Sequence, residues 1–122
     1  MVIWDSLMGN WYVALSTGNS FQQPSEPWLS NWALSSSFWQ PLIGDVNGDG
    51  KDDLIVYAPS IGNWQFAMSK GNCFVASDTV FGPWGVTTSG DAVAGDFNGD
   101  GKMDIGLQDR TKGIFCGAIS SL

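Results

Sequence analysis

The chain of 122 residues repeats itself, and the period decides what it can fold into. "GNWYVALSTGNSF" at residues 9–21 returns as "GNWQFAMSKGNCF" at 62–74, a shift of 53. "GDVNGDGKDD" at 44–53 returns as "GDFNGDGKMD" at 95–104, a shift of 51. A weaker copy of the first motif ends the chain, "KGIFCGAISSL" at 112–122, with Phe115 in place of Trp64 and Ala118 in place of Ala67. A period of about 50 residues marks a propeller or a solenoid, in which each repeat buries its apolar face only against its neighbours.

Within a period the pattern is one of short strands. "PLIGDV" and "AVAGDF" run into the acidic loops, and "DLIVYAP" and "DIGLQD" leave them. "NWYVALS", "NWQFAMS" and "GIFCGAIS" follow with alternating patterning, and "CFVASDTVF" supplies a fourth strand. "SIGN", "SKGN" and "TKG" punctuate them as turns. No segment has an amphipathic helical period. The expected fold is all-β, built of four-stranded antiparallel β-propeller blades. Residues 1–43 read as a partial blade, 44–94 as a blade with the first acidic loop, and 95–122 as a partial blade with the second. That is about ten strands, or two and a half blades, where a closed ring needs about four to eight blades. Closure then requires the rest of a longer propeller, or self-association into a cyclic homo-oligomer, a trimer or a dimer.

The formal net charge of −7 is concentrated. Asp45, Asp49, Asp52, Asp53, Asp96, Asp100 and Asp104, offset by Lys51 and Lys102, hold −5 of it and leave −2 for everything else. The acidity is local, not a solvating surface. With no basic stripe, nucleic acid is excluded as a partner. No apolar run approaches the ~20 residues of a membrane-spanning helix, and "MVIWDSLMGNW" at the start lacks the pattern of a signal peptide. Cys73 and Cys116 match no metal spacing, and both a disulfide and two separate thiols remain open.

Numbered from its first Asp, each loop places side-chain oxygens at positions 1, 3, 5 and 9: Asp45, Asn47, Asp49 and Asp53, then Asp96, Asn98, Asp100 and Asp104. Gly50 and Gly101 stand at position 6, where the chain must turn, and Lys51 and Lys102 at position 7 offer main-chain carbonyls. Hard oxygens in a flexible turn suit Ca²⁺, which takes about 6–8 of them, better than Mg²⁺ with its strict octahedron. The chain has no His, which disfavours transition metals. An Asx-rich hairpin turn without metal needs only a pair of such residues. An EF-hand needs a Glu at position 12 and flanking helices, but Val56 and Leu107 stand there, between strands. Two Ca²⁺ sites are expected.

"GDVNGDGKDDLIV" and "AVAGDFNGDGKMDIGL" resemble the FG-GAP/VCBS type of calcium-loop repeat, found in integrin-like and fungal-lectin-like β-propellers and in many secreted bacterial proteins. The resemblance implies that each loop joins the inner two strands of a blade and that Ca²⁺ locks that hairpin through the ten residues at positions 1, 3, 5, 7 and 9. It also implies an extracellular or cell-surface setting. The chain departs from the usual seven-bladed ring in having too few repeats.

Trp11, Trp64 and Phe115 recur at one strand position and read as packing between blades. Trp28, Trp32 and Trp84 lie in the connections "QQPSEPWLSNW" and "FGPWG", where a ring either caps the core or stacks on a sugar. They are candidate carbohydrate contacts. Without His there is no Ser–His or Cys–His pair. Glu26, Asp78, Asp91 and Asp109, which are carboxylates outside the acidic loops, have no informative spacing for glycoside hydrolysis. The chain is expected not to be an enzyme. Its expected role is a calcium-binding propeller module for extracellular recognition or adhesion, glycans included, with a purely structural propeller segment as the alternative.

Overall fold

The computed structural model describes residues 1–5, 7–33, 39–84, 90–109 and 112–122. Gly85 of "FGPWG" and Thr111 of "TKG" lie outside the described residues. Among the described residues there is no helix, so none is long and apolar enough to cross a membrane.

The middle of the chain forms one four-stranded antiparallel sheet. Its strands are β5 (Gln40–Gly44), β6 (Asp53–Ala58), β7 (Asn63–Ser69) and β8 (Phe74–Phe81), in that spatial order. The chain turns from β6 to β7 at Gly62, whose N–H donates to Ala58 O at 2.8 Å with φ of 72°. A bulge between Gln65 and Ala67 shifts the register of β7 against β8.

The sheets on either side are smaller: a three-stranded sheet on the C-terminal side and, on the N-terminal side, two two-stranded sheets that together make the first layer of the stack, called the first sheet below. At the C-terminal side, β9 (Gly90–Gly95), β10 (Asp104–Asp109) and β11 (Ile114–Ala118) lie in the order β11-β10-β9. Gly95 faces Asp104 there as Gly44 faces Asp53 in the middle sheet. At the N-terminal side, β1 (Val2–Asp5) pairs β2 (Asn10–Val13), and β3 (Leu15–Ser16) pairs β4 (Phe21–Gln22). "NWYVALS", expected as one strand, breaks at Ala14. There Ala14 exchanges hydrogen bonds with the first residue, its N–H donating to Met1 O at 2.8 Å and its carbonyl accepting from the terminal amine at 2.9 Å. Among the described residues, the first sheet has no counterpart of β5 and the third none of β8.

The middle sheet is covered on both faces, and β6 shows why its sequence is apolar without a break from Leu54 to Ala58. All six of its residues are buried. Leu54 and Val56, with Ala67 and Phe74, pack against Trp11, Val2, Trp4 and Val13 of the first sheet. Ile55 and Tyr57, with Trp64 and Phe66, pack against Ile105, Leu107, Ala92, Ala94 and Ala118 of the third. Each fully buried side chain of this size contributes about 1.5–3 kcal/mol. Trp4 stacks on Trp11 with centroids 5.0 Å apart, and Tyr57 stacks on Trp64 at 4.2 Å, so the repeat reproduces an aromatic pair as well as a strand. Trp11 and Trp64 fill the expected place between sheets. Phe115, at the same position of the third sheet, is 56 % exposed. Cys73 and Cys116 are both free thiols.

Candidate metal centre

Each acidic loop joins the first two strands of its sheet, β5 to β6 and β9 to β10. The position 1 carboxylate organises the turn. Asp45 Oδ1 accepts from the N–H groups of Gly48 (2.9 Å) and Asp49 (3.1 Å), and its Oδ2 accepts from Gly50 (2.8 Å). Asp96 holds Gly99 (2.9 Å), Asp100 (3.1 Å) and Gly101 (2.9 Å) in the same way. Asn47 and Asn98 each accept from the amide two residues on, at 3.2 and 3.3 Å. Asp49 and Asp100 do likewise with Lys51 and Lys102, both at 2.9 Å.

Two residues per loop adopt the left-handed conformation that favours glycine. These are Gly48 and Gly50, with φ of 75° and 87°, and Gly99 and Gly101, with φ of 74° and 86°. Position 6 was expected to turn. Position 4 was not singled out, although the Asn-Gly pairs at 47–48 and 98–99 carried the signal.

Position 9 differs from the others in being buried: Asp53 is 0 % and Asp104 1 % exposed. Asp53 accepts from Val46 N–H at 3.1 Å on one oxygen and from Ser69 N–H at 2.8 Å on the other. Asp104 accepts from Phe97 N–H at 2.9 Å and Ser120 N–H at 2.8 Å. Each clamps the start of its loop to the third strand of its sheet or the residues just after it. Ser69 and Ser120 were not singled out from sequence, though they stand one repeat apart. The two loops also touch. Met103 N–H donates to Asp45 O at 2.7 Å, and Ser120 Oγ donates to Val46 O at 2.6 Å.

Electrostatics separates the exposed carboxylates from the buried ones. The Lys51 amide holds Asp49 below the ordinary carboxylate value, and the Lys102 amide does the same for Asp100. Burial pushes Asp53 up. The amides of Ser69 and Val46 oppose that rise, and the charges of Asp49 and Asp45 add to it.

These directions fix a pH dependence in EDTA. The folded state holds the Asp53 proton more tightly than the unfolded chain does. Its contribution is therefore complete below the unfolded value of 3.8 and is lost as pH rises through the raised folded value. Asp49 and Asp100 act oppositely, stabilising above 3.8 and ceasing to do so as pH falls through their lowered values. Stability without divalent cations is expected to rise from neutral pH toward the Asp53 range and then to fall below 3.8. Urea unfolding in EDTA across this range checks it, and a steady decline from neutral pH would contradict it.

The donor set fits a hard cation. In the second loop Asp96, Asp100 and Asp104 each bring a carboxylate oxygen to a common point, all within 4.8 Å of one another. The donors are oxygens, and backbone amides already hold them in place.

The candidate tryptophans divide. Trp32 closes on Trp11, with ring centroids 5.6 Å apart and its carbonyl accepting from Trp11 Nε1 at 3.1 Å. Trp84 closes on Trp64 in the same way, at 5.5 Å and 3.2 Å. Both are half-buried caps on the aromatic stacks. Positive φ at Asn31 (57°) and Ala33 (54°) flanks Trp32 where its connection folds back on the sheet. Trp28, tilted on Phe74 at 5.3 Å, instead lines a polar cleft of about 280 Å³ with Gln22, Gln23, Glu26 and Asn72.

Small antiparallel sheets stacked face to face, two of them with an acidic loop joining their first two strands, define a propeller-type repeat protein. The chain belongs to the FG-GAP-like repeat family, which it matches over residues 1–56 and again over 45–107. The two matches share the first acidic loop. Repeats of this family often bind calcium and are typical of extracellular proteins. No curated protein and no solved structure matches the chain.

Proposed function

We propose that the chain is a calcium-stabilised propeller segment acting in recognition or adhesion outside the cell. The convergence of Asp96, Asp100 and Asp104 is the observation that carries the reading, and the first loop repeats its hydrogen-bond pattern. One ion is held by Asp45, Asn47, Asp49, Asp53 and the Lys51 carbonyl. The other is held by Asp96, Asn98, Asp100, Asp104 and the Lys102 carbonyl. The ion supplies the positive charge that clustered carboxylates require, most of all the buried Asp53. We place the chain's role in binding and not in catalysis, since it has no His and its paired carboxylates are committed to the loops.

Calorimetry and elemental analysis test the metal. Two Ca²⁺ per chain are expected, with Asp49→Ala and Asp100→Ala each removing one site and sparing the other. At a hundredfold excess over Kd each site adds about 2.7 kcal/mol of stability. Identical melting in EDTA and in Ca²⁺, with no bound metal, would overturn the reading.

The ligand class we propose is a glycan, taken at the polar cleft beside Trp28, whose ring and neighbouring amides suit a sugar's apolar face and hydroxyls. A purely structural role is the second reading, favoured by the way Trp32 and Trp84 serve the core. A glycan array with the natural chain and Trp28→Ala decides between them: no signal in Ca²⁺ supports the structural role.

A further inference from the structure

Two hydrogen-bonded routes join the acidic loops, and each runs between residues assigned to different ions. The first is a single peptide group. The Lys102 carbonyl, at position 7 of the second loop, shares a peptide with the Met103 N–H, which donates to the main-chain carbonyl of Asp45 at 2.7 Å. Asp45 is position 1 of the first loop, and its carboxylate holds the amides of Gly48, Asp49 and Gly50. The second route links the buried carboxylates at position 9. Asp104 accepts from Ser120 N–H at 2.8 Å, Ser120 Oγ donates to Val46 O at 2.6 Å, and Val46 N–H donates to Asp53 at 3.1 Å.

The packing along this seam is close. A Cβ at Gly44 would collide with Met103, and one at Gly48 would come within 3.2 Å of Lys102 Cγ. Glycine at both places lets the second loop lie against the first. The two loops also differ at position 8, which is Asp52 in the first and Met103 in the second. Asp52 is exposed, whereas Met103 is half-buried and packs against the cluster that contains Val46, Ile55 and Ile105. The second loop therefore meets the first with an uncharged side chain where the first loop carries a carboxylate.

We propose that the two cation sites form a coupled pair, each tightening the other's hold on Ca²⁺, which rests on the calcium function proposed above. Carboxylates crowded in an empty loop repel one another and loosen it. Fixing the Lys102–Met103 peptide at the second site presents its N–H to Asp45 O, so the first loop is ordered before its own ion arrives. The entropy of ordering is then shared between the two binding events. Hydrogen bonds in series polarise one another in the same sense. The three Asp of each site outweigh the charge of one Ca²⁺, so the ions do not face each other as bare dications. The coupling is reciprocal: the first ion favours the second by the factor with which the second favours the first.

Calorimetric Ca²⁺ titration of the natural chain and of Asp49→Ala and Asp100→Ala tests the coupling, with amide hydrogen exchange as a second readout. Each variant is expected to bind one ion at saturation. The product of the two binding constants of the natural chain is expected to exceed the product of the two single-site constants by about fivefold or more. Ser120→Ala keeps the N–H that Asp104 accepts and loses the hydroxyl that reaches Val46 O. It is expected to bind two ions with that factor reduced, and Ser120→Thr to restore it. In Asp49→Ala, Ca²⁺ at the second site is expected to slow exchange of the Gly48 and Gly50 amides in the loop that holds no ion. If Ser120→Ala does not fold, the single-site variants and the exchange rates carry the test. Either a product no larger than that of the single-site constants, or Gly48 and Gly50 amides left unprotected in Asp49→Ala, would overturn the coupling and leave the calcium reading standing. A natural chain that binds no Ca²⁺ would overturn both.

Discussion

Asp53→Ala is expected to destabilise the chain severely in EDTA as well as in Ca²⁺, which a mere loss of a metal ligand would not do. Both oxygens of Asp53 accept backbone amides, from Val46 and Ser69, and those residues are 1 % and 6 % exposed. Alanine leaves two buried N–H groups without partners at about 1–3 kcal/mol each. Removing a carboxyl that burial disfavours returns part of that cost, but the two amides belong to buried residues. Against a total stability of about 5–15 kcal/mol the loss is large. Asp49→Ala is the control: its side chain is exposed, so in EDTA the substitution is expected to change little and its effect to emerge only in Ca²⁺. Urea unfolding of both variants, with and without Ca²⁺, separates the two roles. Equal effects in EDTA would show that Asp53 acts only as a ligand.

Trp64→Ala is expected to cost about 3–5 kcal/mol, the range for deleting a buried large aromatic. Trp64 is 0 % exposed, stacks on Tyr57 at 4.2 Å, carries Trp84 at 5.5 Å, and stands in the core shared by the middle and third sheets. Its loss empties that seam and frees Trp84, whose carbonyl accepts from the indole N–H. A fall in Tm of more than about 10 °C is expected for a domain of this size. A fall of only a few degrees would mean that the sheets re-seat without it.

Much of this was legible in the sequence where chemistry is local. β6 begins at Asp53 and ends before Pro59, and β7 and β8 are separated by a Gly-Asn turn, so hairpin chemistry alone marks these strands. The acidic loops declare their oxygens by spacing. What the sequence concealed depends on distant partners. Ala14, where the expected strand breaks, is paired with Met1, thirteen residues away. Asp53 and Asp104 look like any other loop carboxylate until the fold brings Ser69 and Ser120, each sixteen residues further on, to them. For Trp32 and Trp84, capping and sugar stacking were both open from spacing. The capping geometry becomes visible only once the connections fold back onto Trp11 and Trp64.

β6 answers to two neighbours at once. Leu54 and Val56 share a core with Trp11 of the sheet before, and Ile55 and Tyr57 share one with Leu107 of the sheet after. The strand is therefore two interleaved half-codes, each free to drift only in step with a different partner. A substitution at Val56 is judged by the preceding sheet, and one at Tyr57 by the following sheet. An array of this kind grows like a row of dominoes: a duplicated blade fits only where its leading half-code matches the trailing half-code of the blade it lands beside.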